Sequence, residues 1–371
     1  MGERFRTRAM VVPRALATRL RRRGARGEVR RALVAHNLLL GDTFMLTPLL
    51  AKLRERHPQA EVVLLAAPSV VPLYEHRPYG VRALPFKPAD ASTTQALLRE
   101  DPFDIAFVVG DNRYSWLAAA MGARHVVAHA GDPRATSNWM VDEEHAYPDQ
   151  PGAWSDLVAR LVEGPAPKPY ARGDWPSPSA RAFEAPQGPY AVLHVGGSTP
   201  LKHWLPERWR ALAEALAARG LSIAWSAGPG EEAVVRAADP SGRHTSYAGR
   251  LDLPQLWRLV EGARVLIAPD TGVAHLGRVA WTPTVTLFGP GSATLAGLGD
   301  FWRETPWRGV GRDPFPCRDQ PLLFRRRVEW VRRCGRTLQE CPEPRCMHAI
   351  EVGEVLVAVG ELGSTNPIFI R

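Results

Sequence analysis

The sequence predicts an α/β protein of two doubly wound domains. Short β-branched runs alternate with amphipathic helical stretches, which implies parallel strands joined by right-handed crossovers. The alternation occurs twice, on either side of a stretch rich in Pro, Gly and Ser. Four strands of the second half end in Gly, Ser, Thr or Asp, and the carboxyl ends of the strands line the ligand crevice of such sheets. A length of 371 residues suits about two domains at roughly 100–200 residues each.

Taken in order, residues 1–31 form a basic extension. They carry 11 Arg, 2 Glu and no Lys or Asp, a net +9 that equals the charge of the whole chain, so the remaining residues sum to zero. Pro13 suits a helix start. From there Leu16, Leu20 and the cluster Arg21-Arg22-Arg23 read as a short basic amphipathic helix. Two readings stay open: attachment to an anionic membrane face, and a solvated or disordered extension. A nucleic-acid binder would spread its charge over the fold and interleave aromatic residues. This chain does neither, so no nucleic-acid partner is expected. No run of about 18 apolar residues predicts a transmembrane helix, and the basic start lacks the apolar core of a secretory signal.

The first domain is expected over 32–165. Residues 31–40 read as a strand running into Gly41-Asp42, 46–57 as a helix with Leu49, Leu50 and Leu53 on one face, and 61–66, 105–109 and 124–128 as strands. A helix near 154–162 is followed by a linker over 166–188. The second domain, 189–350, reads as strands at 190–195, 221–226, 264–268 and 284–288 and helices at 206–219, 253–261 and 273–280. Residues 312–347 form a Cys-containing insertion, and 351–371 a closing helix and tail. Two such domains facing across a cleft would bind ligands between them.

Four segments resemble glycosyltransferase family 9, the ADP-heptose:lipopolysaccharide heptosyltransferases. They are LVAHNLLLGDTFMLTPLLAKLRERHP, LHVGGSTPLKHWLPERW, AGPGEE and VLIAPDTGVAHLGRVAWTPTVTLFGP, spanning about residues 32–291. One departure is Lys202-His203-Trp204-Leu205-Pro206, where a residue separates Trp from Pro. The resemblance implies a GT-B fold, two Rossmann-like domains with the donor mainly on the second. It implies an inverting heptosyl transfer from ADP-heptose to an anionic lipid A/Kdo-type acceptor, at the cytoplasmic face of the inner membrane as a peripheral protein. The membrane would be met through the basic N-terminal segment.

Sugar transfer needs a base for the acceptor hydroxyl and a positive field for the leaving diphosphate. A carboxylate at a strand end can take the proton, and the resemblance assigns that role to Asp42; the plain alternative is a helix cap. Lys202 follows a turn with Ser198 and Thr199, an ammonium and hydroxyls suited to a diphosphate. Asp270-Thr271-Gly272-Val273-Ala274-His275 spans a turn and a helix start, where exposed N–H groups bind anions. The resemblance puts Asp270 near the sugar and His275 near the phosphates. Glu231 could accept both ribose hydroxyls, with Glu232 as rival because the register across the turn is open. Arg124 and Arg134, with His125, are candidates for the acceptor's anionic groups, surface charge being the alternative. The scheme requires no cofactor and no metal on the diphosphate. Cys317, Cys334, Cys341 and Cys346 cluster late in the chain, leaving a structural metal, disulfides or free thiols open. The surrounding basic and aromatic segment is a candidate to touch acceptor or membrane. Outside heptosyl transfer, a family member with another nucleotide-sugar donor and a non-catalytic scaffold remain the alternatives.

Overall fold

The computed structural model describes residues 2–21 and 27–364, in two compact units. The first comprises residues 1–168 and 321–331, the second residues 169–320 and 332–371.

In the first unit, strands β1 (Arg31–Ala35), β2 (Glu61–Ala66), β3 (Val81–Pro85), β4 (Ile105–Val108), β5 (His125–His129) and β6 (Glu143–His145) form one sheet ordered β3-β2-β1-β4-β5-β6. Every neighbouring pair is parallel. Helices α1 (Glu3–Arg21), α2 (Leu40–Phe44), α3 (Thr47–Arg56), α4 (Ala91–Leu97), α5 (Ser115–Ala120), α6 (Ala135–Asn138) and α7 (Trp154–Ala159) accompany it. β1 and β2 are almost continuously buried, as expected of strands covered on both faces. The strand order reverses between β1 and β4, the switch point at which such sheets open a crevice.

The second unit repeats the plan with β7 (Tyr190–His194), β8 (Ser222–Ser226), β9 (Thr245–Ser246), β10 (Val265–Pro269), β11 (Thr284–Phe288) and β12 (Trp307–Gly311), ordered β12-β11-β10-β7-β8-β9 and again parallel throughout. Its switch point lies between β7 and β10. Its helices are α8 (Pro206–Ala217), α9 (Glu232–Ala238), α10 (Leu253–Glu261), α11 (Gly272–Val279), α12 (Ala293–Ala296), α13 (Arg345–His348) and α14 (Val352–Ser364). A small hairpin, β13 (Leu322–Leu323) with β14 (Arg326–Arg327), belongs to the first unit. No helix among the described residues is long and apolar enough to cross a membrane.

Several expectations need correction. The N-terminal helix begins at Glu3, with Pro13 in its interior. Pro13 is exposed, so water can take the carbonyl its missing N–H leaves free. Nor is the segment a loose extension: Val11 and Ala15 are buried, Ala15 against Ala119 and Met140. Arg22 and Arg23 of the expected basic cluster lie outside the described residues. The strand expected over 31–40 ends at Ala35, and Asp42 falls inside α2.

The Pro-rich stretch expected as a linker is laid onto the second unit by the aromatics between its prolines. Buried Tyr170 donates its hydroxyl to Val279 O at 2.6 Å, and Trp175 packs on Trp257. The closing helix was expected to cross back to the first domain. Instead α14 buries Val355, Ala358, Val359 and Leu362 in the core of the second unit, together with Trp204 and Trp209. The insertion expected as one piece is divided, residues 321–331 folding with the first unit and the cysteines with the second.

Candidate active site

Asp42 sits in the first turn of α2, immediately past β1. The cap residue of that helix is Leu39, and Asp42 stands three residues on, in its first turn. It lines a cavity of about 280 Å³ with Asn37, Leu38 and Leu39 after β1 and Val109, Gly110, Asp111, Arg113 and Tyr114 after β4. The cavity therefore lies at the switch point of the first sheet. Behind it, buried His36 accepts from Leu38 N at 3.1 Å, and its burial pushes the imidazole down to about 3, so it stays neutral.

The opposite wall comes from the tip of the β13–β14 hairpin, Phe324 and Arg325. Both adopt positive φ, 46° and 69°. Such non-glycine conformations persist where the surroundings over-determine them, and here Arg326 does so. Its guanidinium donates to Gly110 O at 2.7 Å, Ala130 O at 2.9 Å, Asn112 Oδ1 at 2.6 Å and His129 O at 3.1 Å. Burial lowers its pKa. Arg325 reaches Asp111 Oδ2 at 2.6 Å, and Arg113 Nε pairs with the same oxygen at 2.8 Å. Two guanidinium groups thus share one carboxylate at the wall of the Asp42 cavity and retain donors for an anion. Sequence reasoning singled out the basic, aromatic character of residues 313–334 but could not see where residues 321–331 dock, and it missed Arg113 altogether.

Arg124 is not part of this cavity. It precedes β5 and pairs with Asp104 at 3.4 Å, which in turn accepts from Arg30 N and Arg31 N at the start of β1. Those are the amino ends of parallel strands, the opposite edge of the sheet from Asp42. His125 starts β5 and pairs with Glu143 at 2.9 Å. Arg134 does lie past the carboxyl end of β5, where it caps α6, but its exposed side chain does not line the Asp42 cavity.

In the second unit the singled-out residues converge past the carboxyl ends of β7, β8 and β10. Lys202 Nζ donates to the main-chain oxygen of Asp270 and faces Asp270 Oδ2 at 3.4 Å. The segment holding Lys202 is anchored by buried Trp204, whose indole donates to Ile350 O at 3.0 Å. Thr199 Oγ1 accepts from Leu201 N at 3.3 Å, capping the turn that presents Lys202, while Ser198 is exposed. Thr271 is the cap residue of α11 and Gly272 its first helical residue. Thr271 Oγ1 is buried with no hydrogen-bond partner among the described residues, an orphan donor beside a helix N-terminus. His275 Nε2 lies 4.0 Å from Asp270 Oδ1. Burial, aided by Arg278, pushes the imidazole down to about 3, so His275 is neutral and can offer a phosphate an N–H but no charge.

Glu231 rather than Glu232 faces inward. Its oxygens accept from Gly197 N at 2.9 Å and Gly228 N at 2.7 Å, tying the loops after β7 and β8 together. A Cβ at Gly196 would stand 1.9 Å from Glu231 Oε2, so only glycine leaves the carboxylate its place. Glu232 opens α9 at the surface and bonds Gly230 N.

The family model described as Glycosyltransferase family 9 (heptosyltransferase) matches residues 92–301. This chain belongs to glycosyltransferase family 9. It is a glycosyltransferase. Lipopolysaccharide heptosyltransferase 3 of Escherichia coli is 25% identical over 76% of this chain and 89% of its own. Lipopolysaccharide heptosyltransferase 1 of Pseudomonas aeruginosa is 28% identical over 59% and 62%. Among solved structures, E. coli ADP-heptose lps heptosyltransferase II superposes with a TM-score of 0.66 at 15% identity, covering 90% of this chain and 98% of that one. The two doubly wound units are those of the GT-B fold. E. coli TibC, an iron-containing glycosyltransferase, superposes with a TM-score of 0.56 at 14% identity, over 91% of this chain and 79% of that one.

The cysteines of this family member gather at one place in the second unit. All four line one small cavity of about 80 Å³, and all are free thiols. Among the described residues no group of three or more His, Cys, Asp or Glu is arranged to hold a metal ion.

Proposed function

We propose that this family-9 enzyme transfers a heptose from ADP-heptose to an anionic lipopolysaccharide-core acceptor, with Asp42 as general base. The names of its relatives support donor and acceptor class, as does a fold neighbour bound to ADP-2-deoxy-2-fluoro heptose. The observation that carries the mechanism is the cavity at the first switch point, where Asp42 stands among Arg113, Arg325, Tyr114 and Phe324.

In this reading the acceptor's anionic sugar is held by Arg113 and Arg325, in place of Arg124. Its hydroxyl gives its proton to Asp42 as the oxygen attacks the anomeric carbon from the side opposite the diphosphate. One C–O bond forms and one breaks, which inverts the centre, and the electron pair leaves with ADP. The charge that develops on the diphosphate meets the Lys202 ammonium, the Thr271 hydroxyl and the N-terminus of α11. Ser198 and Thr199 line the same turn, Asp270 orients the sugar and Glu231 accepts from the ribose hydroxyls. The enzyme works as a peripheral protein on the cytoplasmic face of the inner membrane, reached through its basic N-terminal segment.

A thermal-melt series with ADP, UDP, GDP and CMP at equal concentration tests the donor. A ligand at about 100 times its dissociation constant adds about 2.7 kcal/mol to native stability. ADP is expected to raise the midpoint most; a preference for UDP or GDP would replace the donor.

A further inference from the structure

Helix α1 has two faces that do different jobs. One is docked: Val11 and Ala15 are buried and Thr7 and Thr18 half-buried on the same side, against α4 and α5. The helix is tied near both ends, since Glu3 accepts from Ala91 N at 3.1 Å and Arg19 pairs with Asp142 at 3.4 Å. At 3.6 residues per turn, Phe5, Val12, Leu16 and Leu20 fall together on the far side. They are 57%, 38%, 45% and 90% exposed. A stripe of four large apolar side chains facing water along one helix is not needed for the fold, whose contacts lie on the other face.

Charge says what covers it. The same spacing puts Arg8 and Arg19 along one flank of the stripe and Arg6 along the other, with Arg4 and Arg14 nearer the docked side, all exposed. Glu3 is the one acidic residue of the helix. An apolar ridge flanked by guanidinium groups on a helix with a single acidic residue matches a lipid surface, acyl chains below and anionic headgroups beside it.

We infer that α1 is an interfacial helix held rigidly on the first unit, inserting the Phe5-Val12-Leu16-Leu20 stripe into an anionic bilayer surface while its arginines grip the headgroups. This rests on the proposed membrane-embedded acceptor and deepens it. Attachment is by one face of a docked helix, not by a loose basic tether, so the orientation of the first unit on the membrane is fixed. An acceptor anchored in that membrane would then meet the Asp42 cavity in a restricted set of poses.

The test is co-sedimentation of the full chain with vesicles of phosphatidylcholine alone or mixed with phosphatidylglycerol. The variants are Leu16→Ser/Leu20→Ser, which leaves charge intact, and Arg6→Gln/Arg8→Gln, which leaves the stripe intact. Circular dichroism and the ADP-induced melting shift check that fold and donor site survive. The native chain is expected to bind the anionic vesicles. The stripe variant should bind on the order of ten-fold or more weakly at every salt concentration, and the arginine variant should lose chiefly the salt-sensitive part. If the native chain binds and the stripe variant binds equally well, the face assignment falls and charge alone tethers the enzyme. If the native chain binds no vesicles while ADP still stabilises it, the membrane reading itself falls. Concentration-dependent self-association that the stripe variant abolishes, without vesicle binding, would make the stripe a protein interface and overturn the inference.

Discussion

Adding one methyl group at Gly291 tests the donor geometry. Gly291 follows β11, and its φ lies outside the left-handed region, so alanine meets no backbone strain. A Cβ there would stand 2.2 Å from Asp270 Oδ2 and 3.1 Å from Asp270 Cγ. Carbon and oxygen coexist only near van der Waals separation, so the carboxylate must retreat by about 1 Å. That movement disturbs the 3.4 Å approach to Lys202 Nζ, which the proposed mechanism places at the leaving diphosphate. Misplacement of about 1 Å in an active site costs on the order of 100-fold, equivalent to ~2.7 kcal/mol in the barrier. Stability should hardly change, because Gly→Ala at a compatible φ removes unfolded-chain freedom and offsets a small local adjustment. The assay is single-turnover heptosyl transfer beside a thermal melt of Gly291→Ala. A rate near native would show that the position of the Asp270 carboxylate is immaterial. A midpoint lowered by more than about 4 °C, which for a unit of this size corresponds to over ~1 kcal/mol, would make the loss structural.

Asp42→Asn should lower turnover by about 10²–10⁴-fold, the range for a lost general base, while ADP affinity measured by calorimetry stays within about two-fold; equal loss of ADP binding would make Asp42 structural. Arg325→Ala should raise KM for the anionic acceptor about ten-fold or more, the scale of a charge-assisted hydrogen bond, with donor KM unmoved; an unchanged acceptor KM would remove the hairpin tip from acceptor recognition. His36, His129 and His275 are held near 3 and His194 near 4 by burial, well below the ordinary 6.5. The unfolded chain therefore binds more protons below about pH 6.5, and the stability these neutral rings contribute is present above that pH and lost as pH falls towards 4. Melting midpoints should decline steadily from pH 6.5 to 4.5; a flat profile would mean the four rings are not buried neutral.

The placement of the residues proposed for the donor was legible because its signals are local. Gly196-Gly197-Ser198-Thr199, Gly228-Pro229-Gly230-Glu231 and Asp270-Thr271-Gly272 each join a buried strand to the helical turn after it, and the alternation of strand and helix suffices to bring such loops to one edge. The place of Asp42 shortly past the first strand was legible for the same reason. The place of Arg124 was not legible, because a basic residue beside a strand carries no mark of which end it stands at. Its pairing with Asp104 at the amino edge is decided by strand register.

The sequence by itself determined the class of each element, the doubling of the sheet plan and the residue types at both switch points. Those features arise from hydrophobic period and turn chemistry within a few residues. Tertiary structure alone decided where distant segments come to rest. Arg326 reaches Asn112 across more than two hundred residues to bring Phe324 and Arg325 to Asp42. Tyr170 and Trp175 turn an apparent linker into a strap. α1 docks by its small face and leaves its large apolar side chains outward. Such placements depend on complementary burial and on satisfying buried donors between segments far apart in the chain, and no local pattern encodes them.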